Sequence, residues 1–77
     1  MNTHHLVKMA NEIGRFFEAY PDRTEARDAI ASHLKRFWDP RMRREIRAHL
    51  DATEGVDLLP LVAEAVATLE VGSAARP

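Results

Sequence analysis

His4 and His5 are adjacent and project from different sides of any helix that holds them, while His33 and His49 belong to separate segments. No His-x-x-x-His or Glu-x-x-His spacing links them, so the sequence offers no helical pair of metal ligands. The chain has no cysteine, which removes thiolate metal sites, disulfides and a cysteine nucleophile together. Glu12, Glu18, Asp28 and Glu64 are single carboxylates on otherwise polar faces, the setting of salt-bridged surface residues, and no spacing makes two of them converge. Ser32 and Ser73 are the only serines; neither belongs to a nucleophile motif, and there is no glycine-rich phosphate loop. A chain of 77 residues hardly encloses a substrate pocket. No catalytic, cofactor-binding or metal-binding residue is assigned, and the chain alone is not expected to be an enzyme.

The chemistry that the sequence does concentrate is recognition. Lys35-Arg36-Phe37-Trp38-Asp39-Pro40-Arg41-Met42-Arg43-Arg44 joins the only tryptophan to the densest positive charge. Between Lys35 and Arg47 six basic residues stand against two acids, Asp39 and Glu45. This local balance of +4 leaves −5 for the remainder of a chain whose formal net charge is −1. Aromatic residues and arginine are enriched at binding hot spots, so Phe37 and Trp38 either close a joint from inside or anchor a partner. An arginine-bearing helix is ordinarily a solvated face, and an acidic partner or nucleic acid is the functional alternative. Nucleic acid fits less well, because the whole-chain pI is about 6.4 and DNA-binding domains are basic. The Asp39-Pro40 junction is also tighter than the turn of a helix-turn-helix unit.

Helices must position these groups. Thr3 caps a first amphipathic helix in which Leu6, Met9, Ala10, Ile13, Phe16, Phe17 and Tyr20 recur at intervals of three and four. Gly14 interrupts it, either to admit a close neighbour or as a tolerated defect, and Tyr20-Pro21 ends it. Asp22-Arg23-Thr24-Glu25 has capping-box spacing and opens a second helix with Ala26, Ala29, Ile30, Leu34 and Phe37 inward. The short connection through Pro21 and Asp22 predicts an antiparallel hairpin.

At the corner, Asp39 is a cap and Pro40 suits the first helical position, while proline also drives Asp39 out of the helical region and stops the preceding helix near Trp38. Met42, Ile46, His49 and Leu50 then mark a third helix, closed at Gly55 by a left-handed residue. Asp57 caps a fourth segment with Leu58, Leu59, Val62, Ala65, Val66 and Leu69 buried and Pro60 in its first turn.

The expected fold is all-α, a small bundle of about four helices with a tight Asp-Pro corner between helices two and three. Residues 1–71 read as a single helical domain and 72–77 as a mobile C-terminal tail. No stretch approaches the ~18 apolar residues that span a bilayer, and Met1-Asn2-Thr3-His4-His5 lacks the layout of a signal peptide. A soluble cytoplasmic protein is expected. The first helix carries more apolar surface than so small a body needs, which points to burial against a copy of itself or a larger protein.

Three stretches together resemble a known family: Leu6-Val7-Lys8-Met9-Ala10-Asn11-Glu12-Ile13-Gly14-Arg15-Phe16-Phe17, then His33-Leu34-Lys35-Arg36-Phe37-Trp38-Asp39-Pro40-Arg41-Met42-Arg43, and Leu59-Pro60-Leu61-Val62-Ala63-Glu64-Ala65-Val66. They are similar to the delta subunit of the NAD-dependent, molybdenum-containing formate dehydrogenases. The Phe-Trp-Asp-Pro-Arg-Met-Arg segment is the specific part. Glu12 stands where that family is expected to have glutamine, and neither the capped second helix nor the tail carries a motif of it.

The resemblance implies a non-catalytic accessory subunit with no cofactor of its own, supporting assembly or stability of a cytoplasmic complex. In that complex the alpha subunit carries molybdenum-pterin and iron-sulfur clusters, the beta subunit binds FMN and NAD, and the gamma subunit carries an iron-sulfur cluster. Docking on the large alpha subunit, and through it association with beta and gamma, is the implied mechanism. Phe37, Trp38, Asp39, Pro40, Arg41, Met42 and Arg43 are the expected partner-binding residues: the two rings as anchors, Asp39 and Pro40 fixing the corner, Arg41 and Arg43 pairing with carboxylates or carbonyls. Against this stands the plain alternative that Trp38 closes the domain's own core and Asp39 only caps. A self-associating helical regulatory protein, possible as a homo-oligomer when isolated, is the other class of function.

Overall fold

Asn2, Asp22 and Asp39 each have an extended backbone and open a helix by lending a side-chain oxygen to amides of the first turn. The computed structural model describes residues 2–69 of the chain. It contains α1 (Thr3–Phe17), α2 (Arg23–Phe37), α3 (Pro40–Thr53) and α4 (Pro60–Ala67), and no strand among the described residues. The all-α, four-helix expectation therefore holds. The expected tail, 72–77, lies outside the described residues.

The Asp-Pro corner forms as its chemistry dictates. Trp38, with φ −95° and ψ 136°, leaves the helical region, and Pro40 takes the first position of α3. The Asp39 carboxylate accepts from the Met42 amide at 2.9 Å. Asp22 likewise accepts from the amides of Thr24 and Glu25.

Two caps differ from expectation. Asn2 rather than Thr3 opens α1, its Oδ1 accepting from the amides of His4 and His5, while the Thr3 hydroxyl donates across the bundle to Glu45. Asp57 does not cap α4; its carboxylate is 2.9 Å from His49 Nε2, and α4 starts only at Pro60 after Leu59. Asn11 of α1 steadies that late start, accepting from the Leu59 amide at 2.9 Å and donating to the Asp57 carbonyl at 3.0 Å. Helix α1 also stops at Phe17, earlier than Tyr20-Pro21 suggests.

The core is drawn from one face of each helix. α1 buries Leu6, Val7 and Ala10, α2 buries Ala26, Ile30, Ala31 and Leu34, and α3 buries Ile46. Leu61, Val62, Ala65 and Val66 of α4 complete it, with Leu58 and Leu69 at either end and Trp38 at the corner. The most extensive interhelical contact joins α2 and α4. A radius of gyration of 11.7 Å matches the ~11 Å of a compact chain of this length.

Gly14 has a packing reason: a Cβ there would lie 2.3 Å from Val62 Cγ2, so α1 meets α4 only because the side chain is missing. At the end of α3 both Glu54 (φ 58°) and Gly55 (φ 74°) are left-handed, where the sequence suggested glycine alone.

Arg47, the last of the six basic residues counted from Lys35, donates to the carbonyls of Ala67 and Leu69 at 3.0 and 3.1 Å and closes the end of α4 onto α3.

Candidate protein-docking site

The apolar stripe of α1 divides into two faces. Leu6, Val7, Ala10 and Gly14 turn into the core, whereas Met9, Ile13 and Phe17 are only half-buried and Phe16 is 73% exposed. The second face forms one wall of an open groove of about 610 Å³. His33 and Phe37 of α2 and Met42 of α3 line the other side, and Trp38 lies between them. Glu12 supplies the carboxylate of the lining.

A run of rings crosses the groove. Phe16 and Phe17 meet edge to face at 5.1 Å between centroids, Phe17 lies 6.4 Å from His33, and His33 lies 4.7 Å from Phe37. Such arrangements suit the quadrupoles of aromatic faces and edges and hold the rings in place. Tyr20 extends the run beyond Phe17, at 5.3 Å and 41% exposed.

The seven expected partner-binding residues separate into distinct roles. Phe37 is 68% exposed and stands at the rim, outside the core stripe to which its spacing assigned it. Trp38 is 5% exposed; it closes the domain's own core and also lines the groove. A buried ring cannot also insert into a partner. Asp39 and Pro40 are exposed and set the corner, through the Met42 amide and the first turn of α3.

Arg43 donates to the Lys35 carbonyl at 3.4 Å, binding α3 to the end of α2. Met42 lines the groove. Arg41 is exposed and has no ion-pair partner among the described residues. Arg36 places its guanidinium carbon 5.9 Å from the centroid of the Phe37 ring, so the basic segment adjoins the groove directly.

Met9, Ile13, Phe16, Phe17 and His33 line the groove and were not among the partner-binding residues expected from the sequence. The available signal was the excess apolar width of the first helix, wider than one buried face requires.

Elsewhere the charged groups pair at the surface. Glu64 and Arg23 are 2.6 Å apart. The hydrogen bond from Arg23 is the main reason the Glu64 carboxyl is held below its ordinary pKa, with partial desolvation opposing it and the charges of Arg23 and Arg27 helping. The same pair raises Arg23 further above its already alkaline value. No group of three or more histidines or carboxylates that could hold a metal ion occurs among the described residues. No helix among them is long and apolar enough to cross a membrane.

The family model for the NADH-dependent formate dehydrogenase delta subunit FdsD matches residues 5–66, a span that contains every residue lining the groove. No curated protein and no solved structure matches the chain. With that family model covering most of its 77 residues, the chain belongs to the delta subunit family of the NADH-dependent formate dehydrogenases.

Proposed function

We propose that the chain is a non-catalytic accessory subunit that supports assembly or stability of a cytoplasmic formate dehydrogenase by docking on its large, molybdenum-containing alpha subunit. The observation that carries this reading is the groove between α1 and the α2–α3 corner, where Phe16 and Phe37 stay exposed beside an apolar floor. Large exposed rings around an apolar concavity mark interaction surfaces in small soluble domains.

In this reading Phe37 and Phe16 are the contacting anchors, Met42 and the nearly buried Trp38 form the floor, and Asp39 and Pro40 hold the corner. Arg41 pairs with the partner's carboxylates, and Arg43 serves mainly by fixing the corner. The molybdenum-pterin, iron-sulfur, FMN and NAD groups of the complex belong to the alpha, beta and gamma subunits. This chain supplies none of their ligands.

The test is co-expression of the alpha, beta and gamma subunits with and without this chain. With the chain present, the assembled complex is recovered with formate-dependent NAD reduction. Without it, the yield of active complex falls while the subunits are still made. Equal yield and activity in both cases would sink the accessory role. Self-association through the same exposed rings is the second reading, and a stable homodimer of the isolated chain that persists in the presence of the alpha subunit would favour it.

A further inference from the structure

We infer that the groove receives an amphipathic helix of the partner subunit whose apolar stripe is flanked by carboxylates on the side facing the α2–α3 corner; this rests on the docking reading above. The first argument concerns backbone hydrogen bonds. Apart from the buried Trp38 indole, only Glu12 and His33 bring polar side-chain atoms to the lining. A helix closes its own amide–carbonyl bonds and can therefore lay an apolar face into such a groove without polar partners from the lining. No strand among the described residues offers an edge for an added strand.

The second argument is charge. Lys35, Arg36, Arg41 and Arg44 are exposed and have no ion-pair partner among the described residues. The two acids of the same segment are already engaged, Asp39 with the Met42 amide and Glu45 with the Thr3 hydroxyl. Both carboxylates stay charged in these bonds, yet six basic residues against two acids leave the segment with an excess of positive charge, most of which no ion pair among the described residues takes up. Arg36, whose guanidinium carbon lies 5.9 Å from the centroid of the groove-lining Phe37 ring, puts that charge at the groove itself, and Arg41 follows it at the start of α3.

A second copy of the chain is a poor occupant on the same ground. It would bring these cations into one interface twice, with Glu12 as the only acid of the groove lining on each copy. Juxtaposed like charges select against such a partner, while carboxylates along one flank of an incoming helix select for it.

The experiment uses the full chain co-expressed with the alpha, beta and gamma subunits, with a photo-reactive benzoylphenylalanine at position 16, irradiated and mapped by mass spectrometry. Two further pairs of substitutions are read by co-purification: Arg36→Glu with Arg41→Glu, and Phe16→Ser with Phe37→Ser. Circular dichroism of each isolated variant verifies folding, which these exposed positions should not disturb.

The expected result is a cross-link to one helix of the complex with apolar residues at three- and four-residue intervals and acids on one flank. The arginine reversal then lowers co-purification by about tenfold or more, and Arg36→Lys with Arg41→Lys retains most of it. If the phenylalanine pair abolishes binding while the arginine reversal leaves it within about twofold, docking at the groove stands and the acidic occupant is overturned. Indifference to both pairs overturns the groove as the docking site. A cross-link to a second copy of this chain overturns the partner helix.

Discussion

Trp38 and Phe37 are adjacent, yet one ring is 5% exposed and the other 68%. Trp38→Ala opens a hole in the core at the corner, and comparable truncations of large buried rings cost about 3–5 kcal/mol. In a domain this small that is most of the total stability. Phe37→Ala removes a ring that the core does not hold, so its effect on stability is expected to stay within ~0.5 kcal/mol. Its effect on partner binding is expected to be about tenfold or more. Urea denaturation of both variants, set beside binding to the alpha subunit, checks the contrast. Phe37→Ala unfolding the domain, or binding unchanged, would contradict it.

At the scale of the helix, Gly14 is the position where sequence alone left two readings open. Gly14→Ala should lower stability by about 1–3 kcal/mol, the ordinary cost of overpacking, even though alanine is the better helix former. Val62, whose Cγ2 would be 2.3 Å away, is buried and has little room to yield. Thermal denaturation measures it, and a stabilised variant would show that α1 can move away from α4.

Much of this level was legible in the sequence. Asp22 and Asp39 could be identified as caps because the bonds that make them so are local, closed within two or three residues. The caps that were misread depend on distant partners. Thr3 has a capping oxygen but spends it on Glu45, 42 residues away. Asp57 is drawn off by His49 and held in place by Asn11. The same limit applies to the site. Apolar spacing puts Leu6, Met9, Ala10, Ile13, Phe16 and Phe17 on one stripe, but only the positions of the other helices decide that Leu6 and Ala10 turn inward while Met9, Ile13, Phe16 and Phe17 line a groove.

For the molecule as a whole, a few charged groups are held in ion pairs while Lys35, Arg36, Arg41 and Arg44 have no ion-pair partner among the described residues. The Arg23–Glu64 pair links α2 to α4 and gives a pH dependence with a definite sign. Folding lowers the Glu64 pKa, so its contribution is complete above the ordinary glutamate range and is lost as the pH falls through the depressed folded value. Arg23 stays charged throughout this range. Wild type and Glu64→Gln should therefore differ in melting temperature at neutral pH and converge in acid. The difference should be small because both side chains are about half exposed, at 58% and 46%. A difference that grows on acidification would reverse the assignment.

The central claim concerns the groove and its partner, and the most direct measurement is light scattering with size-exclusion chromatography of the purified chain mixed with the purified alpha subunit. The account predicts a one-to-one complex for the wild-type chain, and none at the same concentrations for the folded Phe16→Ser, Phe37→Ser variant. A complex that forms equally well with that variant, or a chain that pairs only with itself while the alpha subunit elutes alone, would contradict it.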